Sequence, residues 1–191
     1  MAIEIELKFA AEESAFEGLL AESGDWTRYE MATTYYDAPD ATLGKLRWTL
    51  RRRFENGVSV CTIKTPHAGG GRNEFEVECG DILEAIPRLI EMGAPAELGA
   101  YTAHGVEEVC AARFTRMAGK IVLSGAEAEL ALDKGELLGG GKTLPFVEVE
   151  VELKSGDLSA VNAYAEALAK RFDLRPEPKS KYTRALTLAG K

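Results

Sequence analysis

The chain has 191 residues, 46% hydrophobic and 28% charged, and a net charge of -8. That length suits one domain, residues 1–191, with a sizeable core. The acidic balance argues against a nucleic-acid binder that works by overall charge, and the absence of a long apolar run argues against a membrane span.

In chain order, residues 4–10 read as a charged strand and 11–22 as a helix, with Phe16, Leu19 and Leu20 at helical spacing. Residues 26–36, rich in aromatic and β-favouring side chains, read as a strand. Residues 46–54 and 58–65 form a hairpin around the turn Glu55-Asn56-Gly57. Residues 72–79 are a strand, and Asp81 caps a predicted helix over 82–92 that Pro87 breaks or kinks. Residues 108–117, 119–124 and 127–133 read as three strands, and 145–154 as the most regular strand of all. Residues 158–171 form an amphipathic helix capped by Asp157 or Ser159. The tail at 179–187 carries KSKYTRALT with no element assigned. The class is α+β, with a mainly antiparallel sheet or barrel of about eight strands.

Cys61, Cys79 and Cys110 are odd in number and lack metal-site spacing, which fits small buried thiols in a reduced, cytoplasmic setting. His67 and His104 fall in loops and do not suggest a histidine metal site. The charges are more informative. Strand residues i, i+2 and i+4 share a face, so Glu4, Glu6 and Lys8 face one way and Ile5, Leu7 and Phe9 the other. Arg51 and Arg53 repeat the pattern, as do Thr62 and Lys64. So do Arg72, Glu74, Glu76 and Glu78, and then Glu148, Glu150 and Glu152.

A one-sided sheet with its charged face in water explains any single strand. Jointly the faces sort by sign, and rows of glutamate or arginine need counter-charges nearby. A closed barrel supplies them, because interior residues alternate with exterior ones on every strand. Its apolar faces then pack against outer helices, and its charged faces line a tunnel. Carboxylates without His or Cys suit Mg²⁺ or Mn²⁺, and Lys and Arg suit a chain of phosphates. Metal and phosphate together point to phosphoryl transfer.

In order along the chain stand EIELK at 4–8, TYYDAPD at 34–40, LRRR at 50–53, TIKTP at 62–66 and RNEFEVE at 72–78. ELALDKGE follows at 129–136, FVEVEVELKSGD at 146–157 and SKYTRA at 180–185. This ordered set resembles the CYTH superfamily, the triphosphate tunnel metalloenzymes, with Ala38 where that family usually has Thr. The second half most resembles the bacterial inorganic triphosphatases among them.

The resemblance implies an eight-stranded antiparallel β-barrel, the triphosphate tunnel, with helices packed outside. It implies Glu4, Glu6, Glu148 and Glu150 as metal ligands for Mg²⁺ or Mn²⁺. Lys8, Arg51, Arg53, Lys64, Arg116, Lys181 and Arg184 would bind a triphosphate-containing small molecule, with Arg113 the competing register for Arg116. Lys8 would also serve catalysis, and Glu76 would orient a water. Glu74 and Glu76 are alternatives for a second metal, and Asp133 would touch a metal or a base. Asp37 reads as a turn acceptor, and Tyr35, Tyr36 and Trp48 as packing outside the tunnel.

The expected activity is metal-dependent hydrolysis of inorganic triphosphate. The alternatives are an adenylyl cyclase, a thiamine or nucleoside triphosphatase, and a non-catalytic polyphosphate- or nucleotide-binding module. No nucleic-acid or membrane partner is expected, and a homodimer is compatible with the sequence.

Overall fold

The computed structural model describes residues 2–22 and 24–191. Strands β1 (Ala2–Glu4) and β2 (Glu6–Ala10) are two parts of one extended segment interrupted at Ile5. Helix α1 (Glu13–Glu22) leads to β3 (Thr27–Asp37), the short α2 (Thr42–Lys45), and the hairpin β4 (Thr49–Glu55) and β5 (Val58–Pro66). Then come β6 (Arg72–Glu78), α3 (Ile82–Glu91) and α4 (Glu97–Tyr101). Three long strands follow: β7 (Glu107–Leu123), β8 (Ala126–Gly139) and β9 (Lys142–Gly156). The chain ends in α5 (Leu158–Phe172), β10 (Arg175–Pro176) and α6 (Lys181–Leu188).

Among the described residues all strands join one antiparallel sheet in the order β1-β6-β5-β4-β3-β7-β8-β9-β2-β10. The first segment is the clasp. Its β1 half pairs with β6, Glu4 opposite Arg72, and its β2 half pairs with β9, Lys8 opposite Glu150. One piece of chain thus joins both sides of the sheet and draws it into a tunnel. The ten strands match the expected eight once β1 and β2 count as one and the two-residue β10 is set aside. The sheet is not strictly closed, since the link between its two sides runs through the covalent chain at Ile5 rather than an unbroken ladder.

The outer face holds two apolar clusters. Phe9, Leu130, Leu132, Val149 and Val151 pack against Phe16 and Leu19 of α1 and Val161, Ala165 and Leu168 of α5. Leu50, Ile63, Phe75 and Val77 pack against Ile82, Ile86 and Leu89 of α3 and Leu98 of α4. Truncating a fully buried leucine such as Leu132 to alanine costs about 2–5 kcal/mol. The caps follow the sequence. Asp81 Oδ1 accepts from the amides of Leu83 and Glu84 at 2.8 and 3.0 Å, and Asp157 accepts from Ser159 N at 2.8 Å.

Four expectations change. Helix α3 runs through Pro87 without ending there. Residues 107–123 form one strand, whose pairing with β8 runs unbroken through Gly119, opposite Leu130 and beside the ring of Trp26. The tail forms α6, which does not pack outside. It covers a third cluster, including Met31, Tyr35, Phe114, Leu137 and Phe146, on the inner side of the sheet. Met31 and Tyr35 also line the tunnel, so α6 fills the apolar part of the lumen. Tyr35 points inward as well, on the same face of β3 as Tyr29 and Met31, while alternation turns Tyr36 to the outer core. Trp48 stays outside, edge-on to Tyr101 at 5.7 Å.

Candidate functional site

The inward faces of the strands enclose a cavity of about 320 Å³. Eight carboxylates and eight cationic side chains line it, so the counter-charges the strand pattern demands are supplied within the tunnel. Several strands supply both signs. Glu4 and Glu6 of the first segment stand beside Glu150 and Glu152 of the adjoining β9, with Glu6 opposite Glu152. Arg51 and Arg53 come from β4, Lys64 from β5 and Arg72 from β6. Glu55, Glu74 and Glu76 stand among those cations, and Lys8, Arg116, Lys154 and Lys181 among the acids, so the two signs interleave around the tunnel.

Each cation is held. Arg51 Nη2 lies 3.2 Å from Glu74 and Lys64 Nζ lies 3.1 Å from the same carboxylate, while Lys64 also pairs with Glu4. Arg53 Nε donates to Thr33 Oγ1 at 3.1 Å, and Lys8 Nζ lies 3.2 Å from Glu6. Arg116 grips Asp133 at two points, Nε to Oδ1 and Nη2 to Oδ2, both 2.7 Å, and also contacts Glu150. Lys181 reaches down from α6 to Asp133 at 2.8 Å, to Glu150 at 2.7 Å, and to Glu148.

Electrostatics reports strain on the carboxylate side. Glu150 and burial, with a further contribution from Glu4, push the Glu6 carboxyl up from its ordinary range against the pull of Lys8. Burial pushes Glu148 up to about 7, despite Lys181. Burial works against ionisation of Glu150 too, but Lys181 and Arg116 hold it well below the ordinary carboxylate range. Burial and then the neighbouring Arg51 and Arg116 lower the Arg53 guanidinium. Arg53 is a cation crowded by cations.

Of the expected metal ligands, Glu4, Glu6 and Glu150 line the cavity. Glu148 does not. It is fully buried beneath, between Lys181 and Arg184. Glu148 and Glu150 converge instead with Asp133, with one carboxylate oxygen from each lying within 4.8 Å of the others. The donors on both sides of Glu150 are all carboxylate oxygens, which fit a hard divalent ion, and the raised Glu6 fits a place where positive charge is wanted.

Of the expected phosphate contacts, Lys8, Arg51, Arg53, Lys64, Arg116 and Lys181 line the cavity. Arg184 sits off it, against Glu148 and 3.8 Å from Glu177. Arg113 is exposed, so β7 presents Arg116 inward. Glu76 lines the cavity with nearly half its side chain open and accepts from Thr62 Oγ1 at 2.9 Å. Asp37 ties its own loop, accepting from the amides of Ala38, Leu43 and Gly44 at 2.8, 2.9 and 3.0 Å. Sequence reasoning assigned no role to Arg72, Glu129 or Lys154, which also line the tunnel. For Arg72 the alternation of its strand carried the signal.

An antiparallel sheet drawn into a tunnel and lined inside by eight carboxylates and eight cations defines the class of protein. Residues 2–186 match the CYTH domain, and the chain belongs to the CYTH family. It is 26% identical over 163 residues to the inorganic triphosphatase of Haemophilus influenzae, an alignment spanning 84% of this chain and 46% of that protein. The chain thus spans about half the length of that relative. Among solved structures, the PH1819 protein of Pyrococcus horikoshii OT3 superposes with a TM-score of 0.66 at 24% identity, covering 97% of this chain and 99% of the other. HpAC1 from Hippeastrum, reported with a dominant triphosphatase activity, superposes with a TM-score of 0.65 at 20% identity, covering 100% and 97%. These two likenesses establish the fold.

Proposed function

We propose that the chain hydrolyses inorganic triphosphate to diphosphate and phosphate in this tunnel, with Mg²⁺ or Mn²⁺. The observation that carries the reading is the convergence of both signs on one tunnel. Glu4, Glu6, Glu150 and Glu152 offer hard oxygen donors, and Arg51, Arg53, Lys64 and Arg72 in the same lining offer donors for a phosphate chain. The Haemophilus relative, named an inorganic triphosphatase, supports the substrate.

In this reading Glu4, Glu6 and Glu150 hold the divalent ion, with Glu148 beneath them. A bound divalent ion supplies positive charge beside the phosphate oxygens. Lys8, Arg51, Arg53, Lys64 and Arg116 neutralise the phosphate chain and the leaving diphosphate, which is most of what a loose phosphoryl-transfer transition state needs. Glu76, steadied by Thr62, orients the water that attacks the terminal phosphorus in line. Lys181 and Arg184 close the C-terminal side.

A second reading has one observation behind it. A larger cavity of about 970 Å³ shares Glu4, Glu6, Lys8, Thr49, Arg72, Ser180 and Tyr182 with the tunnel and includes Pro39, Val109, Pro176, Pro178 and Leu186 in its lining. That space favours an organic triphosphate, with its phosphates in the tunnel and its organic group outside. Product analysis with inorganic triphosphate, ATP and thiamine triphosphate separates the readings. Phosphate released mainly from inorganic triphosphate supports the first. Release only from an organic triphosphate replaces it with the second. Cyclic AMP with diphosphate indicates a cyclase, and no turnover of any substrate by folded protein indicates a binding module.

A further inference from the structure

The turn after α2 is closed by a residue that does not suit it. Arg47 N donates to Gly44 O at 2.9 Å, and Trp48 N donates to Leu43 O at 2.8 Å. This pair of bonds ends a helix on a left-handed residue just past its cap, a position that usually falls to glycine. Here it falls to Arg47, with φ at 60°. A left-handed backbone is unfavourable for any residue with a Cβ, and asparagine and aspartate bear it best. Among the described residues four non-glycine positions have positive φ. Asn56 and Asp173 are of the tolerant kind. The other two, Ala41 and Arg47, flank α2, and both line the larger cavity outside the tunnel. Glycine would make the turn at position 47 without strain, so the turn does not account for the arginine.

What the arginine adds is a cation at the tunnel mouth. Lys45, Arg47 and Arg72 line the larger cavity. Among the described residues no carboxylate is in ion-pair contact with any of them, whereas Lys8, Arg51, Lys64 and Arg116 in the tunnel each have one. Glu4 and Glu6 reach the same lining but pair with Lys64 and Lys8, and Asp37 is taken up by the amides of its own loop. Glu107, Glu166 and Glu177 enter the lining from β7, from α5 and from the segment before α6. Arg72 ties the strained turn to the tunnel. Its Nη2 donates to Arg47 O at 2.8 Å, to Lys64 O at 3.0 Å and to Thr49 Oγ1 at 3.3 Å. Arg72 lines both cavities and Arg47 only the outer one. A chain of phosphates that runs outward from Arg51 and Lys64 therefore passes Arg72 and then meets Arg47.

We infer that Arg47 is an added anion subsite at the tunnel mouth, which takes a fourth anionic unit beyond the three phosphates held inside. The inference rests on the proposed function for the phosphate chain in the tunnel, and it adds the residue that reads the chain's length. The guanidinium gains a partner that the protein itself does not provide, and the left-handed turn aims it there.

Calorimetry with linear inorganic triphosphate and tetraphosphate, in EDTA and at one ionic strength, tests this without turnover. The wild type should bind tetraphosphate about tenfold more tightly than triphosphate, the effect of a hydrogen bond to a charged group. Arg47→Gly should abolish most of that preference and leave triphosphate affinity unchanged. Its unfolding midpoint should hold or rise, because glycine suits the turn. Arg47→Lys keeps the charge and should keep part of the preference. The same preference in wild type and Arg47→Gly would overturn the inference. An equal loss for both compounds in Arg47→Gly would overturn it too, since Arg47 would then act on the three inner phosphates. Binding of neither compound by folded wild type would overturn the tunnel reading along with it. The expected preference without phosphate release on adding metal would leave this inference standing and overturn only the hydrolase.

Discussion

Arg116 and Asp133 face each other across β7 and β8 and form a two-point ion pair, both contacts at 2.7 Å, with Asp133 fully buried. Planar guanidinium matches planar carboxylate, which fixes the direction in which Arg116 points. Asp133→Ala leaves Arg116 and Lys181 short of one buried partner, and should lower folding stability by about 3–5 kcal/mol. Asp133→Leu combined with Arg116→Met removes one charge of each sign. The double variant should be clearly less destabilised than the sum of the single losses, as read from urea unfolding midpoints.

Arg53 should behave in the opposite way. It is crowded by Arg51 and Arg116, and its firm polar partners are Thr33 and a 3.3 Å contact to Glu55. Arg53→Ala relieves like-charge repulsion, so stability should hold or rise. Affinity for inorganic triphosphate should fall about tenfold or more, the loss expected for a hydrogen bond to a charged group. Calorimetry paired with unfolding separates the two effects.

Glu148 gives the metal-free chain a distinctive pH response. Its folded value is pushed up to about 7 by burial, above the ordinary 4.5. Between these values the folded chain binds more protons than the unfolded chain, so this group's stabilisation is complete below about 4.5 and is lost as pH rises through about 7. Glu150 has the opposite sign. Its contribution is present above its unfolded value and is lost only as pH falls through its depressed folded one. Through this linkage the Glu148 carboxyl should lower the wild-type unfolding midpoint between pH 5 and 7, and Glu148→Gln should flatten that decline. An unaltered slope in the variant would count against the assignment.

The buried thiols should be inert. Burial pushes Cys61 up to about 11 and Cys110 up to about 12, which leaves almost no thiolate near neutrality. Cys79 is partly exposed. Iodoacetamide at pH 8, followed by mass spectrometry, should label Cys79 first and the other two only after unfolding.

The tunnel was legible because a strand has a period of two. Glu4, Glu6 and Lys8, Arg51 and Arg53, and Glu148, Glu150 and Glu152 announce one charged face each, and the counter-charge requirement turns those faces toward one another. Depth along the tunnel was not legible. Nothing in the spacing of Glu148 and Glu150 says that one lines the cavity while the other lies beneath Lys181. Tyr35 and Tyr36 are adjacent and so take opposite faces, but nothing in β3, which lacks a row of charges, says which of them faces the tunnel. Helix α6 has readable signals in the Ser180 cap and in Tyr182, Ala185 and Leu186 at helical spacing, but eight residues give a weak pattern. Its place inside the sheet depends on Gly139, more than forty residues upstream, which has no Cβ to hold it off.

The central claim is hydrolysis of a triphosphate on the carboxylate-walled tunnel, and the most direct measurement is phosphate release from inorganic triphosphate with Mg²⁺ or Mn²⁺. Wild type and Glu6→Gln would be compared at equal folded concentration. The account predicts metal-dependent release by the wild type and a loss of about 100-fold or more in Glu6→Gln, whose fold and unfolding midpoint stay close to the wild type's. Equal release by both proteins, or none from the folded wild type with either metal, would contradict it.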